Sequence, residues 1–262
     1  MAAGDPLPPD IADAIERARP RLAPLASPLV FFSTVGSTND AAASIAIEGA
    51  VVVAEAQTAG RGRRGRTWFS PSGSGLYVST VLAPTRARVD PRRATTLLTL
   101  TAGVAIAEGV EASTGVDVDL KWPNDLYVSG RKLAGILAEA VRDVVVLGYG
   151  INLTAAALPS DLRDRATSLE GQTGLAPDRG RVLVETLAAL AVRYGDLLAG
   201  RFDAILDAWR VRAPAAIGAR VTWTAASTVQ SGVTAGVDED GALLVKTDAG
   251  LQRIVGGEVK WS

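Results

Sequence analysis

The chain has 262 residues, of which 48% are hydrophobic and 21% charged, a balance typical of a globular protein. It contains no cysteine and no histidine, which excludes disulfides, thiolate nucleophiles, imidazole bases and metal sites built from those ligands. The net charge of −1 excludes a protein that binds nucleic acid through its overall charge, although a local basic patch stays open. No apolar run is long enough to span a membrane, and residues 1–10 lack a secretion signal, so we expect a cytoplasmic protein without a membrane partner.

The hydrophobic pattern predicts an α+β fold with a small β domain after it. In the extension of residues 1–27 we expect one short helix, around 11–19, that ends at Pro20. From Leu29 onward, apolar strands are interrupted by amphipathic helices without strict βαβ alternation, which predicts an α+β domain over residues 28–213. The predicted strands lie at 29–34, 50–55, 75–83, 118–122, 126–133, 134–141 and 144–152, and the predicted helices at 38–48, 91–113, 181–198 and 201–211. Short strands separated by glycine and aspartate turns predict a β-barrel over residues 214–262.

Four arginines and three glycines alternate in the segment 60–66, directly after a buried strand, and Trp68 follows two residues later. Glycines let consecutive backbone N–H groups converge on an anion, and arginine adds forked donors that suit phosphate or carboxylate. We therefore predict an anion-binding loop here, and we expect its crowded positive charges to keep it mobile until an anion binds. A solvated basic loop, or a contact to RNA, is the alternative that the residues leave open.

The chain uses lysine sparingly, and two of its lysines flank one predicted hairpin. Of the 27 Lys and Arg residues only four are lysine, and Lys121 and Lys132 lie on either side of a Ser129-Gly130 turn. Asp125 lies between them, as an oxygen ligand suited to Mg²⁺ beside two ammonium groups. This setting favours phosphoryl or nucleotidyl chemistry, whereas a simple turn at Asn124-Asp125 is the alternative.

Two further motifs are weaker by themselves. Residues 37–39 (Ser-Thr-Asn) carry the side chains of a helix N-cap, and they could instead bind a polar ligand. Residues 148–152 end an apolar strand with two glycines, which permit close approach of a ligand or of a neighbouring backbone. A P-loop is not supported, because the chain has no GxxxxGK[ST] motif.

Together, the motifs GRGRRGR-x-W, KWPNDL and RKLAGIL, with Ser-Thr-Asn before them and GYGIN after them, resemble those of biotin–protein ligase (biotin–[acetyl-CoA-carboxylase] ligase) in order and spacing. The resemblance covers residues 28–262. It implies a catalytic domain like that of class II aminoacyl-tRNA synthetases, with a mixed, largely antiparallel sheet, and a small SH3-like C-terminal domain. It also implies an enzyme that joins biotin to ATP with Mg²⁺ as biotinyl-5′-AMP, and then passes the biotinyl group to a lysine of a biotin carboxyl carrier domain.

The same resemblance suggests a role for individual residues. Lys132 would bridge the reacting carboxylate and the α-phosphate, Arg63 would act with it in catalysis, and Asp125 would bind the metal ion. The biotin site would consist of Ser37, Thr38, Asn39, Gln57, Gly60, Arg61, Lys132, Gly135, Ile136 and Gly150. The ATP or adenylate site would consist of Arg63, Arg66, Trp68, Lys121, Asn124, Asn152 and Ala166, with the loop 155–166 over the base.

Two departures from the family's pattern shape the remaining expectations. Residues 1–27 are too short for the helix-turn-helix that some members carry, so we expect a ligase of the single-function type that does not bind nucleic acid. The loop 155–166 has no aromatic residue to stack on adenine, so we expect weaker retention of the adenylate. Lipoate–protein ligase, which shares the adenylation chemistry, and an RNA-binding module are the competing functions. We expect a monomer or a weak dimer.

Overall fold

The computed structural model describes residues 4–225 and 228–261, whose larger sheet has seven strands. They are β1 (Leu29–Phe32), β2 (Val51–Ala54), β3 (Gly75–Leu82), β4 (Asp119–Lys121), β5 (Asp125–Val128), β6 (Arg131–Val141) and β7 (Val144–Asn152). Across the sheet the order is β1-β2-β3-β7-β6-β5-β4. Strands β1 and β2 pair in parallel, and every other neighbouring pair in this sheet is antiparallel. The predicted α+β class with a mixed, largely antiparallel sheet is confirmed.

Helices cover the sheet on both sides. They are α1 (Pro9–Leu22), α2 (Thr38–Ile45), α3 (Pro91–Thr114), α4 (Leu169–Thr173), α5 (Arg179–Leu198) and α6 (Phe202–Val211). Strand β2 is buried throughout, and its alternating side chains serve two different cores. Val51 and Val53 join the main core with α1, α3, α5 and α6, whereas Val52 packs with Ala42 of α2 in a smaller cluster. This second cluster fixes the start of α2 against the sheet.

The first helix is longer than the sequence predicts. It was expected to end before Pro20, but α1 continues to Leu22 and contains that proline in its last turn. A proline there removes only one hydrogen bond to the preceding turn. Ile11, Ile15 and Leu22 form a buried stripe that packs with α5 in the main core, and this burial carries the helix past the proline.

The hairpin between the two lysines forms as predicted. Ser129 and Gly130 both have positive φ, 51° and 73°, as a two-residue type I′ turn requires. The prediction of separate strands at 126–133 and 134–141 was wrong, because β6 runs without a break from Arg131 to Val141. The turn, rather than a boundary at residue 133, separates β5 from β6.

A five-stranded antiparallel sheet follows, as expected for the C-terminal β domain. Its strands are β8 (Ile217–Ala225), β9 (Thr228–Val237), β10 (Leu243–Thr247), β11 (Gly250–Ile254) and β12 (Val259–Trp261), in the order β11-β10-β9-β8-β12. The indole N–H of Trp122, in the turn after β4, donates to the Gly241 carbonyl at 2.9 Å. The second sheet is therefore fixed beside the turn that carries Asn124 and Asp125.

Among the described helices, none combines the length with the apolar character that crossing a membrane requires.

Candidate active site

A cavity of about 700 Å³ opens where the arginine loop, the strands β4–β7 and the start of the second sheet's last strand meet. Of the residues predicted to form the site, all but Gly60 line this cavity. They are Ser37, Thr38, Asn39, Gln57, Arg61, Arg63, Arg66, Trp68, Lys121, Asn124, Asp125, Lys132, Gly135, Ile136, Gly150, Asn152 and Ala166. Residues more than 120 positions apart in the chain thus converge on one volume.

Gly60 lies behind the lining. A Cβ atom at this position would lie 2.5 Å from the Trp68 carbonyl oxygen and 2.7 Å from Ser70 Oγ. The Trp68 N–H donates to the Gly60 carbonyl at 2.9 Å, which closes the base of the arginine loop. Gly60 therefore permits the close packing of the two ends of this loop.

The Ser-Thr-Asn motif begins α2, but its serine does not cap the helix. The Ser37 side chain makes no capping hydrogen bond. Instead, Gln57 Oε1 accepts from the Thr38 N–H at 2.9 Å and from the Thr38 hydroxyl at 3.1 Å. All three residues of the motif are at most 5% exposed, so the helix start presents buried polar groups to the cavity. The Ser37 hydroxyl is not used by the helix and faces the cavity.

Asn39 is held from two sides. Ser79 Oγ, on β3, lies 2.6 Å from Asn39 Oδ1, and Asn39 Nδ2 donates to Glu139 Oε2 at 2.6 Å. A Cβ at position 148 would lie only 2.1 Å from Asn39 Oδ1, so glycine is needed there for the amide to fit. This gives the glycine of the GYGIN motif a packing role at the polar end of the cavity.

Carboxylates that the sequence analysis did not identify compensate the charges of the arginine loop. Arg61 donates to both carboxylate oxygens of Asp40 at 2.7 Å and to Glu139 at 3.0 Å. The hydrogen bonds that Arg61 donates, chiefly to Asp40 and next to Glu139, raise the pKa of Arg61 well above its usual range. Arg66 forms an ion pair with Glu258, and Arg64 lies 3.6 Å from the same carboxylate. The loop is thus held by charge pairs to α2, to β6 and to the second sheet.

Arg63 is the most buried arginine of this loop. Its Nη1 donates to Asn124 Oδ1 at 3.2 Å, while Asn124 Nδ2 donates to the Ile136 carbonyl at 2.6 Å. Burial, chiefly, lowers the pKa of Arg63, although arginine stays protonated at any physiological pH. Asn124, predicted to contact phosphate, uses its side-chain amide to connect the loop with β6.

Lys132 lies deep in the cavity at the start of β6. Its Nζ is 2.6 Å from Asp125 Oδ1 and 5.4 Å from the centre of the Trp68 ring. Its backbone N–H and carbonyl bind the Arg165 carbonyl and the Thr167 N–H, at 2.9 and 2.8 Å. The lysine is therefore fixed by strand pairing, and the same pairing holds Ala166 and the loop 155–166 against the cavity.

Trp68 fits into a space that two glycines leave open. A Cβ at Gly150 would lie 2.4 Å from the indole Nε1, and one at Gly135 would lie 3.1 Å from the ring. Within residues 4–225 and 228–261, the buried Nε1 has no hydrogen-bond acceptor. A buried unpaired donor of this kind costs free energy, so the close fit of the ring between the two glycines is kept in spite of it.

The loop 155–166, expected over the base, contributes a mostly apolar wall to the cavity. Its lining residues are Ala157, Leu158, Pro159, Leu162 and Ala166, together with Arg165. Asn152, predicted to read the adenine or the adenylate, is 5% exposed and donates its Nδ2 to the Thr167 carbonyl at 3.0 Å. That bond anchors the end of the loop to β7, and the side-chain oxygen of Asn152 can still accept a hydrogen bond.

Several lining residues lie outside the motifs of the sequence. The chief ones are Phe69, Tyr127, Glu258 and Trp261. Tyr127 alternates with buried residues on β5, which was a signal that it faces the other way. Nothing local to the sequence of Glu258 or Trp261 indicates that they border this cavity, because their position depends on how the second sheet packs.

The chain matches two family descriptions. Residues 33–154 match the biotin/lipoate A/B protein ligase family, and residues 216–260 match the biotin protein ligase C-terminal domain. The bifunctional ligase/repressor BirA of Bacillus subtilis is 35% identical over 238 residues, which cover 88% of this chain and 72% of the relative. The biotin–[acetyl-CoA-carboxylase] ligase of Mycobacterium tuberculosis is 41% identical over 166 residues, 60% of each chain.

Among solved structures, the biotin protein ligase from Aquifex aeolicus in complex with biotin and ATP is similar with a TM-score of 0.79 and 31% identity. The similarity covers 89% of this chain and 98% of that one, so it includes both sheets. These similarities show that the chain belongs to the biotin/lipoate A/B protein ligase family and, within it, to the biotin protein ligases.

Proposed function

We infer that the protein is an ATP-dependent biotin–protein ligase, which activates biotin as biotinyl-5′-AMP and transfers it to a lysine of an acceptor protein. The observation that carries this function is the convergence of Lys132, the arginine loop and the buried Ser37–Asn39 motif on one cavity. Lysine and arginine suit a phosphate and a carboxylate, and the motif supplies the polar groups that a cyclic urea needs. The division into residues 28–213 for catalysis and 214–262 for the second domain is part of this proposal.

In the proposed first step, a carboxylate oxygen of biotin attacks the α-phosphorus of ATP, and the bond to the departing pyrophosphate breaks. Lys132 stabilises the negative charge that collects on the carboxylate and α-phosphate oxygens, and Arg63 assists from the loop. Asp125, 2.6 Å from Lys132 Nζ, holds that ammonium in place. The reaction needs no protein nucleophile, so the enzyme works by positioning and by charge stabilisation.

A Mg²⁺ ion fits this site as a companion of the nucleotide. Within the described residues no three carboxylates group as a metal cage would require, while Asp125 offers one carboxylate beside the two lysines. Mg²⁺ commonly binds through one or two carboxylates plus substrate phosphates, and there it would neutralise phosphate charge. Asp125 would hold the ion.

In the proposed second step, the uncharged amine of the acceptor lysine attacks the carbonyl carbon of the adenylate. The amide bond forms, AMP leaves with the electrons of the carbon–oxygen bond, and the amine loses a proton. The acceptor that this chemistry calls for is a biotin carboxyl carrier domain. Arg61 and the loop amides would cover the intermediate until the acceptor reaches it, which protects the anhydride from water.

The polar end of the cavity favours biotin over lipoate. The buried Ser37, Thr38 and Asn39 and the half-buried Gln57 have hydrogen-bonding groups that a urea ring can match and a dithiolane ring cannot. Unmatched polar groups in such a pocket would discriminate strongly against lipoate. A site for RNA is not favoured, because Arg61, Arg64 and Arg66 turn to internal carboxylates.

ATP–pyrophosphate exchange with Mg²⁺ tests the function, with biotin, lipoate, octanoate or no acid. We expect exchange only with biotin and, in a separate assay with labelled biotin, transfer of the biotinyl group to a purified carrier domain. Exchange with lipoate or octanoate would assign the protein to the neighbouring activity. Absence of exchange with every acid would contradict an acyl-adenylating enzyme.

A further inference from the structure

Lys121 lies at the edge of the cavity in a setting different from that of Lys132. It ends β4, and its Nζ is 4.7 Å from the centre of the Tyr127 ring and 5.5 Å from the centre of the Trp261 ring. Both distances are within the range of a cation–π contact, in which the negative face of a ring attracts an ammonium. Lys121 is thus held between two aromatic faces.

The two rings come from different sheets. Tyr127 is on β5, beside Lys121 in the larger sheet, whereas Trp261 is on β12 and pairs with Val221 of the second sheet. Trp261 is half-buried and also packs against the main core. The position of the Lys121 ammonium therefore depends on a residue that the second sheet supplies.

Aromatic faces hold a lysine without using its charge in an ion pair. Among residues 4–225 and 228–261 no carboxylate lies within 4.0 Å of Lys121 Nζ, whereas Lys132 is paired to Asp125 at 2.6 Å. Burial lowers the pKa of Lys121, and Asp125 partly opposes this. An anion that enters the cavity therefore meets an ammonium that is positioned and has free N–H donors.

We propose that Trp261 is a positioning residue for the nucleotide, which with Tyr127 holds Lys121 directed at the triphosphate of ATP. This inference rests on the proposed function of the same cavity and adds to it a requirement for the second sheet. Because Trp261 acts through Lys121, its loss should weaken ATP binding and leave biotin binding unchanged.

The test compares Trp261→Leu, which keeps apolar volume without a ring, with Trp261→Phe, which keeps a ring face. In biotin-dependent pyrophosphate exchange, we expect Trp261→Leu to raise the KM for ATP about fivefold, with kcat and the biotin KM little changed. Trp261→Phe should recover most of this loss. Tyr127→Leu, on the larger sheet, should also raise the KM for ATP.

Two further comparisons separate positioning from general damage. Trp223→Leu, in the core of the second sheet and 8% exposed in the wild type, should lower the melting temperature without a comparable change in ATP KM. In a Lys121→Gln background, Trp261→Leu should have no further effect on ATP KM, because the group that it positions is gone.

The proposal is wrong if Trp261→Leu leaves the ATP KM unchanged, or if it raises that KM equally with and without Lys121. It is also wrong if Trp223→Leu, still folded, has the same effect. Failure of the proposed function has a different signature, since the wild-type protein would then show no biotin-dependent exchange at all.

Discussion

The arginine loop at residues 60–66 and the hairpin β5–β6 line the same cavity but are held in place by different forces. The hairpin is fixed by strand pairing from Asp125 to Val141 and by a type I′ turn. The loop is held mainly by ion pairs to Asp40, Glu139 and Glu258, and the side chains of Arg64 and Arg66 are 56% and 68% exposed. Each exposed ion pair contributes little free energy of stabilisation, and salt weakens it. The pairing of strands in the hairpin does not depend on salt in this way.

This difference indicates that the hairpin and the loop have different roles in catalysis. A charge that stabilises a transition state must be fixed before the reaction, and Lys132 is fixed by its strand. A cover that admits substrates and releases a product must open, and the loop has the weaker attachments. Substitutions in the hairpin should therefore change the chemical step, and substitutions in the loop should change retention.

The largest effect is expected at Lys132. We predict that Lys132→Ala lowers kcat for biotin-dependent exchange by about a hundred- to a thousandfold, because a preorganised charge is lost. The melting temperature should change little, because the side chain is 30% exposed at the cavity wall. Wild-type-like exchange in a folded variant would remove Lys132 from its proposed role.

A pair of glycine substitutions contrasts the loop with β7, the strand that pairs with β6 of the hairpin. Gly148→Ala would bring a Cβ to within 2.1 Å of Asn39 Oδ1, so the amide must move from its partners Ser79 and Glu139. We predict a rise in biotin KM of about tenfold to a hundredfold, as expected for misplacement of a positioning group.

Gly62→Ala in the loop is the matched control. Its Cβ would meet nothing closer than the Arg66 carbonyl oxygen at 3.5 Å, which is an ordinary contact. Biotin KM should therefore stay within about twofold of the wild type, within the small range of uncrowded surface changes. Equal losses from both alanines would argue against a rigid polar end and an adaptable loop.

A smaller effect is expected when the loop loses one ion pair. We predict that Asp40→Asn speeds dissociation of the adenylate about two- to fivefold, because an exposed pair to Arg61 contributes little free energy. The difference from the wild type should shrink at high salt. Asp10→Asn is the control, since it breaks a pair with Arg179 and neither residue lines the cavity; a similar change in that variant would contradict a loop-specific effect.

The ion pair between Asp40 and Arg61 should be lost at low pH. The hydrogen bond from Arg61 holds the pKa of Asp40 below its ordinary 3.8, so the carboxylate stays charged throughout the neutral range. Its contribution is present above the ordinary value and is lost as the pH falls through the lowered one. The ratio of the adenylate dissociation rates of Asp40→Asn and the wild type should therefore be constant from about pH 5 to pH 8.

The smallest effect concerns Lys121. Burial lowers the pKa of this lysine below the 10.5 of an exposed one, so it loses its proton earlier as the pH rises. We predict that the KM for ATP begins to rise on the alkaline side before pH 10.5, and that Lys121→Arg shows no such rise. Identical profiles for wild type and variant would show that the lysine does not meet the nucleotide as a cation.

The sequence was sufficient to predict most of the larger sheet, and all but one of the candidate site residues line the cavity. Lys121 and Lys132 lie near each other because a two-residue turn joins β5 to β6, and such a turn has a local signature at Ser129-Gly130. The start of α2 at Thr38 was also predicted from neighbouring residues in the chain. Such features depend on residues close together in the chain.

Features that depend on tertiary packing were not predicted. Helix α1 continues past Pro20 because of its contacts with α5, and Glu258 meets Arg66 across 192 positions of sequence. A cap at Ser37 was one of two alternatives that local chemistry left open, but Ser37 makes no capping bond, and Gln57, in the loop after β2, bonds Thr38. In each case a distant partner overrides or completes the local preference.

The shared core described above has a consequence for how the molecule unfolds. One hydrophobic cluster extends from Ile11 of α1 through Leu97 of α3 to Leu243 and Ile254 of the second sheet. Because these residues form one contiguous cluster, neither half can expose its surface without disrupting the other. The two sheets are thus distinct in topology, but they form one cooperative unit that should melt in a single transition.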